Sequence, residues 1–281
     1  MADMRGKVVV ITGATSGIGW VAADQLARMG ARIVVVARDR TRGESTLARL
    51  HDAGPAAAHS AHYADLLTIT EMKRVAREIA AAEPRIDVLI NNAGALFSSR
   101  QLTADGLEKT FALNHMSYFV VTLGLAKRLH ATPGARVVNT SSDAHRRARL
   151  DLDDLQSAKD YRGFPVYGRS KLCNILFTRE LAKRWNGSGV TANALHPGFV
   201  ATRFGDESGG NFQRFIGFAK LFAISPEKGA ETIVYLASSD GVAKQTGAYF
   251  YKSRAVHPTR AAQDDESARR LWEESARLAG V

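Results

Sequence analysis

Lys7-Val8-Val9-Val10-Ile11-Thr12-Gly13-Ala14-Thr15-Ser16-Gly17-Ile18-Gly19 is the stretch on which the fold turns. Val8–Thr12 is a run of β-branched residues with no polar alternation, the pattern of a strand covered on both faces. Gly13 ends it. Residues from Gly17 to Met29 carry helical spacing. Glycines at G-x-x-x-G-x-G spacing between a strand and a helix allow a tight turn. They also let backbone approach a pyrophosphate seated on the helix N-terminus. Gly13, Thr15, Ser16, Gly17, Ile18 and Gly19 are therefore candidate dinucleotide-binding residues. A Gly-rich turn alone is ordinary loop chemistry; its place between strand and helix gives it meaning.

The same rhythm continues outward. Strands are expected at Arg32–Ala37, Ala58–Ala64, Ile86–Ile90, Arg136–Thr140, Val190–Leu195 and Ala248–Tyr251. Helices are expected at Arg40–His51, Ile69–Ala82, Leu107–Leu129, Val166–Trp185 and Glu227–Ser238. Apolar strands alternating with helices predict an α/β fold, a doubly wound, Rossmann-type parallel sheet of about seven strands with helices on both faces. The whole chain, 1–281, reads as one domain. Two stretches break the pattern. Asp143–Pro165 is polar. Gly205–Ala223 holds Gly209-Gly210 and then Phe212, Phe215, Ile216, Phe218, Leu221 and Phe222. It reads either as a substrate lid or as a helix packed permanently on the body.

The 281 residues, 45% hydrophobic and 23% charged, suit a globular protein and exclude disorder, collagen-like repeats and a coiled coil. The single Cys173 excludes a disulfide framework and a Cys-based zinc cluster, and the eight histidines show no zinc spacing, so no metal is expected. The net charge of +10 includes Arg146, Arg147 and Arg149 but no run of five like charges. A solvated basic surface is favoured over nucleic-acid binding. No secretory signal and no apolar stretch of membrane-spanning length is read, so the expectation is a cytoplasmic protein without a transmembrane anchor.

The end of the second strand reads Val36-Ala37-Arg38-Asp39-Arg40. A carboxylate there serves the ribose hydroxyls of NAD, an Arg the 2′-phosphate of NADP. Arg38 comes first, so NADP is favoured over NAD; the alternative gives the ribose to Asp39. Tyr167 and Lys171 stand four apart on one helix face. A phenol of pKa ~10 is a poor base, and a neighbouring ammonium is expected to lower it. Ser142 and the Asn91-Asn92-Ala93-Gly94 run follow strands at the edge where such sheets bind ligands. Asn114 sits in an apolar helix, where its amide needs a partner. His115 is expected to pack or hydrogen-bond within that helix, His145 to approach substrate, and His196 and Cys173 to be structural.

Thr12–Gly19, Asp65-Leu66, Asn91–Gly94, Asn114, Ser142, Tyr167, Lys171 and His196-Pro197-Gly198 occur in the order found in short-chain dehydrogenases/reductases, and the chain resembles that family over nearly its whole length. The resemblance implies that Tyr167 donates or accepts a proton, that Lys171 holds the nicotinamide ribose and tunes Tyr167, and that Ser142 positions the substrate oxygen. It implies that Asn114 maintains a water-linked proton path to Lys171. It places Asp65 near the adenine, Asn91 near the adenosine ribose and Thr202, just after Pro197-Gly198, on the carboxamide side of the nicotinamide, with Leu66, Ala93, Gly94, Pro197 and Gly198 as further cofactor-binding candidates. Ser141-Ser142-Asp143-Ala144-His145, Ser170–Leu181 and the tail at Gly247–Phe250 and Ala268–Trp272 are most similar to the retinol dehydrogenase and WW-domain oxidoreductase branch. Tyr167 follows Ser142 by 25 positions, a long separation shared with that branch.

The expected activity is NADP-dependent interconversion of a carbonyl and an alcohol on an apolar, retinoid-, steroid- or lipid-like substrate. A dinucleotide-binding regulator or scaffold without turnover is the alternative; it has no need of Ser142, Tyr167 and Lys171 together. The aromatics of 205–223 serve either substrate closure or a contact within a homo-oligomer or with a membrane surface.

Overall fold

The computed structural model describes residues 2–198 and 224–281. Thr202 and the proposed lid at 205–223 lie outside the described residues. One sheet runs through the structure in the order β3-β2-β1-β4-β5-β6-β7-β8. Its strands are β1 (Val8–Thr12), β2 (Arg32–Ala37), β3 (Ser60–Tyr63), β4 (Val88–Asn91), β5 (Arg136–Thr140), β6 (Thr191–Leu195), β7 (Tyr249–Tyr251) and β8 (Arg254–Val256). All neighbouring pairs are parallel except β7 with β8.

The alternating faces of β1 explain its unbroken apolar run. Val8 and Val10 enter one core with Val75, Ile79, Phe119 and Phe177. Val9 and Ile11 enter the other with Leu26, Leu50 and Ile233. The first core lies under α3 (Ile69–Ala82), a helical stretch spanning 109–130, α7 (Gly163–Arg184) and α9 (Asp265–Ala279). The second lies under α1 (Gly17–Arg28), α2 (Arg40–Ala53) and α8 (Pro226–Ser238). The 109–130 stretch comprises α4 (Lys109–Phe111), a π-turn at Ala112–Met116, α5 (Ser117–Gly124) and α6 (Ala126–His130).

Strand order reverses at β1, which lies between β2 and β4. The helices that follow these two neighbours leave on opposite faces, opening a crevice at the carboxyl ends of β1 and β4. Two elements exceed the sequence expectation of about seven strands ending near Tyr251. β8 pairs back on β7 through Lys252 and Ser253, both left-handed at φ 49° and 57°. That is a two-residue turn built without the usual glycine or asparagine. The C-terminal α9 packs Trp272 against Phe177 and Phe119, with ring centroids 5.8 and 5.0 Å apart. Arg179 also binds Asp265 at 2.9 Å.

Candidate active site

The crevice is built first from backbone. Thr12, at the end of β1, accepts hydrogen bonds through its hydroxyl from the Asn92 and Ala93 N–H groups at 3.0 and 3.1 Å. Asn92 donates back from its amide to the Thr12 and Gly13 carbonyls at 3.3 Å. The loops after β1 and β4 are thereby stapled together. Gly13 has φ 72°, and a Cβ there would lie 2.8 Å from the Ala93 Cα. A Cβ on Gly19 would collide with the Gly13 carbonyl and the Asn92 amide. Side chains are thus excluded where the helix must approach the strand. Ser16 precedes α1 in extended conformation without capping the helix by its side chain. Among the described residues no side-chain cap from Ser16 satisfies the first N–H groups of α1, which suits anion binding at a helix N-terminus. The cradle fits a dinucleotide pyrophosphate.

At the end of β2, Arg38 is exposed. Asp39 is already used: its carboxylate caps α2 by accepting from the Arg42 N–H at 2.7 Å. Asp65 is exposed and turns on the Leu67 N–H, while Leu66 is buried. Asn91, expected near the adenosine ribose, ends β4 at this edge with its side chain turned away from it. It is buried and donates to Thr122 Oγ1 and Asn139 Oδ1, both at 2.9 Å, so its amide faces the core. Strand alternation sends Asn92 to the opposite side, where it organises the crevice. Ala93 and Gly94 do line this edge, and a Cβ on Gly94 would lie 3.0 Å from Asn114 Oδ1 and 3.3 Å from Lys171 Nζ.

The reacting groups converge beside Gly94. Asn114 occupies the π-turn, whose bond from the Ser117 N–H to the Ala112 carbonyl skips one residue more than an α-helix. Its Oδ1 accepts from Ala95 N–H at 2.8 Å, and its amide donates to the Ala95 carbonyl and Ser170 Oγ, both at 2.9 Å. Ser170 in turn donates to the Tyr167 carbonyl at 2.7 Å. Lys171 donates from Nζ to the Thr140 carbonyl at 3.1 Å and lies 5.7 Å from the Tyr167 ring centroid. Ser142 heads a short 3-10 turn and shares a hydrogen bond with the Tyr167 phenol. The structure therefore brings Asn114, Ser142, Tyr167 and Lys171 together.

Their protonation differs from the sequence expectation of a lowered phenol. Burial pushes Tyr167 up to about 12, only partly offset by Ser142. Burial also pulls Lys171 down to about 7. Loss of hydration penalises both charged forms, so neither partner is the strong charge that would perturb the other. A protonated phenol hydrogen-bonded to Ser142 is a proton donor to an oxygen placed between them.

Several side groups take supporting places. His145 does not line the open site; it is buried, and its Nδ1–H donates to the Ser142 carbonyl at 2.7 Å. His196 is stacked between Tyr251 and Tyr249 and is pulled down to about 4 by burial. Cys173 is a buried thiol pushed up to about 12. Pro197 and Gly198 follow β6, with Gly198 at φ 89° near Ile224 and Tyr251. Thr12, Asn92 and Ser170 stand within the quoted motifs, but the sequence assigns them no role of their own. Their signal is position alone: each lies inside a motif, beside a residue to which a role is assigned.

A doubly wound sheet with a glycine cradle at its switch point and a Ser–Tyr–Lys set on one edge defines a dinucleotide-dependent oxidoreductase. The short chain dehydrogenase family model matches residues 7–211, and the chain belongs to the short-chain dehydrogenase/reductase family, as a carbonyl/alcohol oxidoreductase. It is 38% identical to human "Retinol dehydrogenase 13" over 100% of this chain and 86% of that protein. It is also 38% identical to mouse "Retinol dehydrogenase 12", covering 99% of this chain and 88% of that one. A solved, uncharacterised protein of Mycobacterium paratuberculosis superimposes with TM-score 0.81 at 31% identity, over 100% of this chain and 96% of that one. An NAD(P)-dependent gluconate 5-dehydrogenase-like protein of Beutenbergia cavernae, solved with bound NADP, gives TM-score 0.72 at 26% identity, over 89% and 96%. No helix among the described residues is long and apolar enough to cross a membrane.

Proposed function

We propose that the chain, acting as one domain over 1–281, is an NADP(H)-dependent enzyme that interconverts apolar aldehydes or ketones with their alcohols. The observation that carries the cofactor preference is the division of labour after β2. Asp39 is committed to capping α2, whereas Arg38 is exposed and suited to a 2′-phosphate. The bound dinucleotide supplies or accepts the hydride. Gly13 to Gly19 hold its pyrophosphate, and Asp65, Leu66, Ala93 and Gly94 border its adenosine half. Pro197, Gly198 and Thr202 border the nicotinamide, and Lys171 holds the nicotinamide ribose. Ser142 and Tyr167 orient the substrate oxygen, and Tyr167 transfers the proton. Asn114 anchors the loop at Ala95 and the helix at Ser170 around Lys171.

The apolar substrate class is supported by Phe164, 46% exposed and with its ring centroid 6.4 Å from that of Tyr167. It is also supported by the names of the retinol dehydrogenase relatives. Each CH₂ buried by a ligand contributes about 0.8 kcal/mol. Oxidation of NADPH and of NADH at 340 nm, with straight-chain aldehydes of increasing length and all-trans-retinal, tests both parts. The expected result is NADPH preference and kcat/KM rising severalfold per methylene until the pocket fills. Equal use of NADH refutes the cofactor assignment, and a flat chain-length series refutes the apolar pocket. Cofactor binding without turnover of any carbonyl establishes the regulator instead.

A further inference from the structure

Ser142 is held by the residue three places after it. The His145 ring is fully buried, and its Nδ1 lies 2.7 Å from the Ser142 carbonyl oxygen. The His145 backbone N–H reaches the same oxygen at 3.2 Å. One residue therefore fills both lone pairs of that carbonyl, once from its backbone and once from its ring. Burial pulls the ring below the usual imidazole range, so it is neutral at pH 7. Nε2 meets no hydrogen-bond partner among the described residues. A proton on Nε2 would strand a buried donor, so the ring carries it on Nδ1, aimed at Ser142.

That carbonyl matters because of its neighbours. Ser141, just before it, donates from Oγ to the Lys171 carbonyl at 2.7 Å and ties the chain to α7. Just after it, the Ala144 carbonyl rests on α7 at Gly168, where a Cβ would lie 2.8 Å from the Ala144 oxygen. The peptide joining Ser142 to Asp143 lies between these two anchors, and its carbonyl is the one that the His145 ring pins. Ser142 Oγ accepts the Ala144 N–H at 3.2 Å. That bond occupies one lone pair of the hydroxyl and leaves its proton to be donated. The ring of His145 is itself braced by Tyr249 of β7, edge-on with centroids 5.1 Å apart. The Tyr249 hydroxyl is a second, longer contact of Nδ1 at 3.4 Å.

We propose that His145 is a positioning residue for Ser142: its ring N–H fixes the Ser142 carbonyl, and with it the point from which Ser142 Oγ donates to a substrate oxygen. His145 acts through Ser142 and not on the substrate. The inference rests on the role proposed for Ser142 in the oxidoreductase site.

The test compares His145→Leu with His145→Asn in the full chain, with NADPH and decanal. The two side chains share a shape and leave the same cavity; only Asn offers an N–H in place of Nδ1–H. Misplacing a reacting group by about 1 Å costs up to about 10²-fold in rate. His145→Leu should therefore lose roughly ten- to hundredfold in kcat with the Kd for NADPH within twofold, and His145→Asn should return to within about threefold of wild type. Tyr249→Phe keeps the bracing ring, removes only the longer contact, and should stay within about twofold in kcat. ¹⁵N-histidine NMR of the wild type, with His145→Asn assigning the resonance, reads the bond without turnover and should show the Nδ1–H tautomer. An Nε2–H tautomer, equal losses in His145→Leu and His145→Asn, a wild-type kcat in His145→Leu, or an equal loss in Tyr249→Phe overturns the proposal. A wild-type chain inactive on every carbonyl removes the enzymatic reading together with the kinetic role of His145, while the tautomer still decides the bond to Ser142.

Discussion

Thr12→Val is the sharpest probe of the crevice, because it removes one oxygen and keeps the β-branched shape. Thr12 is 2% exposed, and its hydroxyl receives the N–H groups of both Asn92 and Ala93. Stranding a buried donor costs roughly 1–3 kcal/mol. Both donors are only partly buried, so the lower half of that range applies, giving about 2–4 kcal/mol for the pair. At roughly 2–4 °C per kcal/mol for a chain of this size, Tm should fall by about 4–16 °C. The loss also unties Gly13 from Ala93, so the pyrophosphate cradle loosens and NADPH affinity should drop by about tenfold or more. Thr12→Ser is the control: it keeps the acceptor and loses a methyl group worth about 0.8 kcal/mol. Thermal unfolding and NADPH fluorescence titration read the two effects. If Thr12→Val is no less stable than Thr12→Ser and binds NADPH as wild type does, the hydroxyl staple does not organise the site.

Tyr167→Phe should retain NADPH binding and lose more than tenfold in kcat, about 1.4 kcal/mol of barrier; a smaller loss in stopped-flow turnover removes Tyr167 as the acid. Arg38→Ala should weaken NADPH by about tenfold or more while leaving NADH unchanged, and equal effects on the two in a binding titration speak against the 2′-phosphate contact. Gly94→Ala should fold but lose NADPH affinity and kcat, since the new Cβ must displace Asn114 Oδ1 or Lys171 Nζ. Lys171 is pulled to about 7 by burial, below its unfolded value near 10.5, so the unfolded chain binds more protons between those values. Its contribution to stability therefore rises with pH across that window. Lys171→Met should raise the Tm of the cofactor-free protein most below pH 7, with the difference fading toward pH 10.5, as read by melting curves across pH.

What local sequence determined is what local physics controls. The β-branched run at Val8–Thr12, the glycines after it and the four-residue spacing of Tyr167 and Lys171 each act within a few bonds. They announced the parallel sheet, the cradle and the shared helix face. Tertiary structure decided everything that depends on what lies opposite. Asn91 and Asn92 look equivalent in sequence, yet the sheet sends one to Thr122 and Asn139 in the core and the other to the crevice. The helix expected over Leu107–Leu129 opens into a π-turn at Ala112–Met116, presenting Asn114 to Ala95 and His115 to Ser275, a partner 160 residues away in sequence. The last strand turns on Lys252 and Ser253, residues without intrinsic preference for left-handed backbone, because β7 offers an edge to pair with. Tyr167 is pushed up rather than down because its pKa reflects the water removed by the assembled fold, which no residue spacing records.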